Sequence, residues 1–397
     1  MRMPAFSQRV PSRLEPNRLT AAVRALREAG EPFDDLTISN PTKVGLPYPT
    51  SLVAALADAR GLVYDAQPLG WPEAREAVAE EYARHGATVG AEQVVLTAST
   101  SEAYSLLFKV LCDPGDEVLV PRPGYPLFDH LARLDAVVAR PYALEYHGAW
   151  AIDLDSVRAG FGPRTRALVV VSPGNPTGAF TKAAELDALR HLAAAHGVVL
   201  VSDEVFADYA LQAPADAVAT VLASGAAEGG PLTVALGGLS KSVGLPQHKL
   251  GWMVVSGPPR ARAALLERLE YACDAYLSVA TPVQVAAPRL LADGAVVRGA
   301  IRERIAANLA TLARHVAATP ACTLLPPEGG WSAVVRVPAV RPEEDLVLDL
   351  LERDRVLVHP GYFFDFRSEA YVVVSLLPPP QTFERAVDRL CQRAGGV

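Results

Sequence analysis

From about residue 94 onward the chain alternates between two rhythms. Short apolar runs rich in β-branched residues recur at 94–96, 117–120, 137–140, 167–171, 198–201, 232–236 and 252–255. Between several of them lie stretches in which apolar positions repeat every three or four residues, at 102–111, 127–134 and 183–196. A run with no polar alternation must be covered on both faces, and helices between such runs supply the covering. The pattern predicts an α/β fold, a mostly parallel seven-stranded sheet sandwiched by helices. In such sheets ligands bind outside the carboxyl ends of the strands, so the turn after each run is a candidate for chemistry.

The flanking segments read differently. Helices are predicted over 19–29, 51–58 and 73–85, the last opened by Pro72 with Glu73 and Glu76 near its start. A short strand over 35–38 runs into the turn Ser39-Asn40-Pro41-Thr42. Beyond a helix at 265–276, Thr281-Pro282 interrupts the pattern, and helices follow over 283–291 and 297–318. Strands at 331–337, 356–358 and 371–377 then alternate with helices at 343–353 and 382–392, the makings of a smaller α+β domain. The expected division is a large domain over 46–285 and a small one from 1–45 with 286–397. The Ala- and Gly-rich stretch 213–230 reads as a loose surface excursion.

Composition narrows the function. Of 397 residues, 50% are hydrophobic and 20% charged, an ordinary globular balance with enough chain for two cores. A net charge of −7 gives no footing for nucleic acid or an anionic membrane. Cys112, Cys273, Cys322 and Cys391 are far apart, with neither a metal-binding spacing nor a disulfide framework. With no long apolar run and no leader-like start, the expectation is a soluble, cytoplasmic protein.

Five turns carry candidate chemistry. Thr97-Ala98-Ser99-Thr100-Ser101-Glu102 leaves a strand and opens a helix, where free N–H groups and small hydroxyls can cradle a phosphate. A plain Ser/Thr cap explains the same residues when they are taken alone. Tyr125 stands on a Pro-stiffened corner, Pro121-Arg122-Pro123-Gly124-Tyr125-Pro126, as a stacking or a packing ring. Asn175 lies in Ser172-Pro173-Gly174-Asn175-Pro176-Thr177-Gly178, and Asp203 ends the run at 198–201. A carboxylate there needs a positive or hydrogen-bonding partner. Finally, Gly237-Gly238-Leu239-Ser240-Lys241-Ser242-Val243-Gly244-Leu245-Pro246 sets a single lysine among small residues at a strand end, where desolvation turns an ammonium into an amine nucleophile.

The order of these turns, with Pro114-Gly115-Asp116-Glu117-Val118-Leu119-Val120-Pro121 between them, resembles the class I/II aminotransferases of the fold-type I pyridoxal-phosphate enzymes, over nearly the whole chain. The resemblance implies pyridoxal 5′-phosphate as cofactor and the transfer of an amino group between an amino acid and a 2-oxo acid. It implies that Lys241 links covalently to the cofactor and moves the proton on the substrate's Cα. It further implies that Asp203 pairs with the pyridine nitrogen, Asn175 with the phenolic oxygen, and that Tyr125 stacks on the ring. Thr100, Ser101, Ser240 and Lys249 match the phosphate anchors. Tyr64 and Thr281 match positions that reach the neighbouring subunit's cofactor, so a homodimer is implied.

Four departures from the family's pattern matter, two on the cofactor side and two on the substrate side. Lys249 stands where the family carries arginine, and Phe206 where it carries a tyrosine that bonds to the phenolic oxygen. The arginine that clamps the substrate's α-carboxylate falls on Val373, and Ser39 replaces a glycine of the N-terminal substrate loop, next to Asn40. Arg367, within the aromatic segment that starts at Tyr362, is the expected replacement for the missing arginine. Redirected chemistry in a lyase, cyclase, decarboxylase or oxidase of the same fold is the alternative activity, and a cofactor-binding regulator is a third class.

Overall fold

The computed structural model describes residues 5–12, 14–223 and 230–396. Its larger sheet has eight strands: β1 (Val94–Thr97), β2 (Glu117–Arg122), β3 (Val138–Tyr146), β4 (Trp150–Ile152), β5 (Thr165–Val171), β6 (Val199–Asp203), β7 (Thr233–Gly238) and β8 (Gly251–Ser256). They lie in the order β1-β8-β7-β6-β5-β2-β3-β4. All seven predicted runs are present. Strands β2, β3, β5, β6 and β7 pair in parallel. Strand β8 is antiparallel to both neighbours, so β1 points the same way as the parallel five.

The eighth strand is the difference from the sequence expectation. Strand β3 continues to Tyr146 and folds back on β4 through Gly148, whose φ of +93° suits a turn closed to most other residues. Residues 141–152 mix polar and apolar positions at the sheet's edge, so no uninterrupted apolar run marks this hairpin.

The side-chain alternation explains why the central runs are continuously apolar. Val118, Val120, Val169, Val201 and Leu236 enter one core, under helices Thr100–Leu111 and Pro259–Tyr276. Leu119, Leu168, Val170, Leu200 and Ala235 enter the other core. Burying each such side chain contributes roughly 1.5–3 kcal/mol, spent largely against chain entropy.

The smaller sheet has β9 (Thr323–Leu325), β10 (Ser332–Arg336), β11 (His359–Pro360) and β12 (Tyr371–Ser375), antiparallel in the order β9-β10-β12-β11. Residues Asp34–Asp35 and Val356–Leu357 add a two-stranded parallel pair. Helix Arg18–Glu28 packs on Glu343–Glu352, and Ala295–Ala317 on Pro380–Gly395. Helix Thr281–Asp293 begins with Pro282 in its first turn, runs across residues 285/286 and packs on Pro72–Arg84. Of the stretch expected to be a loose excursion, Thr220, Val221 and Leu222 are buried, while 224–229 lie outside the described residues.

Candidate active site

The carboxyl ends of the parallel strands open on a cavity of about 360 Å³. Its wall brings together Thr100, Ser101, Tyr125, Asn175, Asp203, Ser240, Lys241 and Lys249 from the large sheet's side. Register does the gathering: Val171 pairs with Asp203, and Asp203 with Leu236, so adjacent strands end level with one another. Lys241 sits in the one-turn helix Leu239–Ser242 that follows β7. The buried Tyr209 fixes that turn, donating its hydroxyl to the Lys241 carbonyl at 2.5 Å.

Burial pushes the Lys241 amine down to about 8, with the Asp203 charge opposing the shift. The Nζ atom lies 4.9 Å from the centre of the Trp331 ring and 5.7 Å from that of Phe206. This lysine is therefore partly desolvated and carries a substantial neutral fraction near pH 8. Burial raises the Asp203 carboxyl, opposed by the Val205 N–H (3.2 Å to Oδ1), the Tyr104 hydroxyl (3.0 Å to Oδ2) and Lys241. No salt bridge neutralises Asp203 among the described residues, which leaves an acid suited to a protonated ring nitrogen.

At the phosphate end, Ser99 caps the twelve-residue helix Thr100–Leu111 through the Glu102 N–H, and the positive end of the helix faces the cavity. Strand β8 passes directly beneath. A Cβ on Gly251 would lie 2.8 Å from the Ser99 carbonyl carbon and 3.0 Å from the Thr100 nitrogen, so only glycine allows this approach. Lys249, exposed and without an ion pair among the described residues, adds a cation at the same end. A helix N-terminus, two hydroxyl side chains, a free cation, a desolvated lysine and an unneutralised acid together fit pyridoxal phosphate.

The small sheet closes the other side with Ser332, His359, Val373 and Ser375, and Thr37, Ser39, Trp331 and Phe364 complete the wall. Two of the expected substrate contacts lie outside this wall. Arg367 is exposed and outside the cavity wall. Phe366 before it stacks on Tyr371 at 4.6 Å, and the left-handed Asp365 (φ +56°) turns the chain so that the arginine faces outward. Asn40 is also absent from the wall: its side-chain carbonyl caps Pro41–Lys43, accepting from the Thr42 N–H (3.0 Å) and hydroxyl (2.7 Å). Tyr64 and Thr281 meet each other in a separate groove without Lys241.

Sequence reasoning missed Tyr104, Arg122, Trp331 and His359 as wall residues. Tyr104 was within reach, since it lies one helical turn after Thr100 and so faces the same side.

The family profile described as aminotransferase class I and II matches residues 43–390. The chain belongs to that family. It is 27% identical to the glutamate-pyruvate aminotransferase AlaA of Haemophilus influenzae, across 92% of each chain. It is 29% identical to the aspartate/prephenate aminotransferase of Thermus thermophilus, across 99% of this chain and all of that one. Among solved structures, the alanine aminotransferase from Pyrococcus furiosus superposes with a TM-score of 0.87 at 25% identity, over 98% of this chain and 99% of that one. Thermus thermophilus aspartate aminotransferase with maleate gives 0.83 at 27% identity, over 98% and 100%. The protein is accordingly a pyridoxal-phosphate-dependent aminotransferase. Among the described residues no helix is long and apolar enough to cross a membrane, and no acidic, histidine or cysteine cluster suits a metal.

Proposed function

We propose that this aminotransferase takes the amino group of a 2-amino acid and passes it to a 2-oxo acid, with the cavity around Lys241 as the site. The observation that carries the assignment is an amine with its pKa pushed down to about 8, in one wall with an unneutralised, half-buried acid and a helix N-terminus. When bound, the cofactor supplies an electron sink for the carbanion left at Cα. Lys241 would hold it, and the free Nζ would take the Cα proton as general base and return it as general acid. Asp203, oriented by Tyr104 and Val205, keeps the ring nitrogen protonated. Asn175 donates to the phenolic oxygen and Tyr125 covers the ring. Thr100, Ser101, Ser240 and Lys249 hold the phosphate, and Ser39 borders the substrate.

The same reading includes a large domain over 46–285, a small domain from 1–45 and 286–397, and a homodimer in which Tyr64 and Thr281 serve the partner's site. Support for the dimer comes from apolar side chains left in solvent near that groove, with Leu62 89% and Tyr271 83% exposed. A cytoplasmic setting accords with four free cysteines.

The test is a half-reaction. Holoenzyme is incubated with a panel of amino acids and no acceptor. Conversion of the bound cofactor to its amino form, with release of a 2-oxo acid, supports the proposal. Release of ammonia or carbon dioxide instead identifies a lyase or decarboxylase. Lys241→Ala is expected to lower turnover by about 10³-fold or more while still binding the cofactor.

A further inference from the structure

Once the cofactor roles are assigned, the cavity wall still holds charge-bearing groups without a task. Besides Lys241 and Lys249 it is lined by a guanidinium, Arg122 at the end of β2, and an imidazole, His359 on β11. Arg122 is committed. Its Nε donates to Asp365 at 2.8 Å, its Nη2 bonds both Asp129 oxygens, and its Nη1 donates to the Pro121 carbonyl at 3.1 Å. Little donor capacity and no net positive charge remain for a ligand. The guanidinium serves as a tie between β2 and the 361–366 segment, alongside the Gly124 N–H to Phe364 carbonyl bond of 2.9 Å.

His359 is in the opposite condition. It is partly buried, its ring rests against Phe363 and Phe364 at 5.9 and 5.7 Å, and neither ring nitrogen has a hydrogen-bond partner among the described residues. Its place follows from register. His359 pairs with Val373 in the antiparallel sheet, so the two side chains share a face, and both line the cavity. Ser375, two residues on, and its partner Ser332 form the next row of the same wall. Among the described residues, the polar side chains that this sheet brings to the cavity beside the apolar Val373 are His359, with its unused nitrogens, Ser332 and Ser375. The Ser375 hydroxyl already donates to the Ile38 carbonyl at 2.6 Å, and Tyr371 and Arg336, on the same face, lie outside the cavity wall.

We propose that His359 recognises the carboxylate of the amino acid and of the 2-oxo acid, taking the part that Val373 cannot play. The inference rests on the transamination reading for its substrate class. One imidazole N–H is a narrower, weaker hold than a bidentate guanidinium. Burial lowers the His359 pKa below its usual value, so the empty site holds a neutral ring. An incoming carboxylate stabilises the imidazolium, and binding draws a proton from solvent.

The acidic groups around the ring do not replace that charge. Asp35 acts on His359 through space, but its Oδ1 already accepts the Thr37 N–H and hydroxyl at 2.7 and 2.6 Å. Glu343, from the helix packed on β11, accepts the N–H groups of Tyr362 and Tyr371 at 2.9 and 2.8 Å. Asp365 is held by Arg122, and the Tyr371 ring is stacked on Phe366.

Calorimetry of pyruvate, 2-oxoglutarate and phenylpyruvate binding to the cofactor-loaded protein, in two buffers of different ionisation heat, reads this directly. Wild type is expected to take up protons on binding between pH 7 and 8, with affinity falling as pH rises. His359→Phe should weaken binding about 10- to 100-fold and abolish the uptake. In turnover, KM for the amino acid should rise by a similar factor while kcat changes less than about threefold. His359→Arg should restore affinity without proton uptake, which also controls for any folding defect in the phenylalanine variant. Unchanged binding in His359→Phe, or proton uptake that survives it, overturns the proposal. If His359-dependent binding holds but no amino acid yields a 2-oxo acid, the transamination reading fails and this one stands. If turnover proceeds with KM indifferent to residue 359, the reverse is true.

Discussion

The two walls of the cavity are built by different means. On one side, Asn175, Asp203 and Lys241 stand at or just beyond the ends of strands locked into a parallel sheet by neighbours on both edges. Their positions follow from register and from cores packed on both faces, so each side chain is placed with little freedom. On the other side, His359 lies on a two-residue strand at the edge of the small sheet, and Phe364 on a single 3₁₀ turn. That wall depends on side-chain ties such as Arg122 to Asp365 rather than on a continuous ladder. A rigid wall suits chemistry common to many substrates; a wall of short elements can change residue by residue without disturbing the sheet.

The sharpest way to break the contrast is to damage the rigid wall by one atom. Asp203→Asn keeps shape and the contact with Tyr104 but removes the buried negative charge. Losing one partner of a buried pair costs about 3–5 kcal/mol, so kcat/KM is expected to fall roughly 10²- to 10⁴-fold. Tyr104→Phe, which only releases the carboxylate's orientation, should cost several-fold. If Asp203→Asn retained more than about a tenth of wild-type kcat/KM, the rigid wall would not be where the catalytic electrostatics reside.

The same contrast explains what was legible in the sequence. Seven strands, most helices and the cofactor-side residues could be read because each lies in a local pattern: an apolar run, then a turn with its own residue signature. The hairpin Trp150–Ile152 lacked such a pattern, since an edge strand with polar positions looks like a loop. Arg367 drew attention as an arginine near the right place in the sequence, yet the left-handed turn at Asp365 and the Phe366–Tyr371 stack aim it outward. His359 was overlooked for the converse reason. It precedes Pro360-Gly361 with no helix or strand signature of its own, and only the pairing with Val373 puts it in the wall.

Phe206 lies where the walls meet. Its ring is buried against Trp331 at 5.3 Å and faces Lys241 Nζ, with no hydroxyl to stabilise the cofactor's phenolate. Phe206→Tyr should supply that donor and favour the deprotonated chromophore. The pH midpoint of the bound cofactor's absorbance change is expected to drop by about one unit, a tenfold effect on the equilibrium. A wild-type midpoint already low, and unmoved by the added hydroxyl, would mean that another group does the tyrosine's work.

The smallest expected effect probes how far the phosphate end relies on fixed backbone. Lys249 is an exposed point charge beside a helix N-terminus that already offers the N–H groups of Thr100 and Ser101 and, close by, the Ser240 hydroxyl. An arginine there would add a fork, but one competing for phosphate oxygens that the helix also reaches. Lys249→Arg is therefore expected to tighten cofactor binding only two- to fivefold, measured as the dissociation constant after dialysis, with kcat unchanged. Tightening by a hundredfold would show that the natural lysine leaves the phosphate underheld, and that the helix N-terminus with its glycine-floored approach contributes far less than its geometry implies.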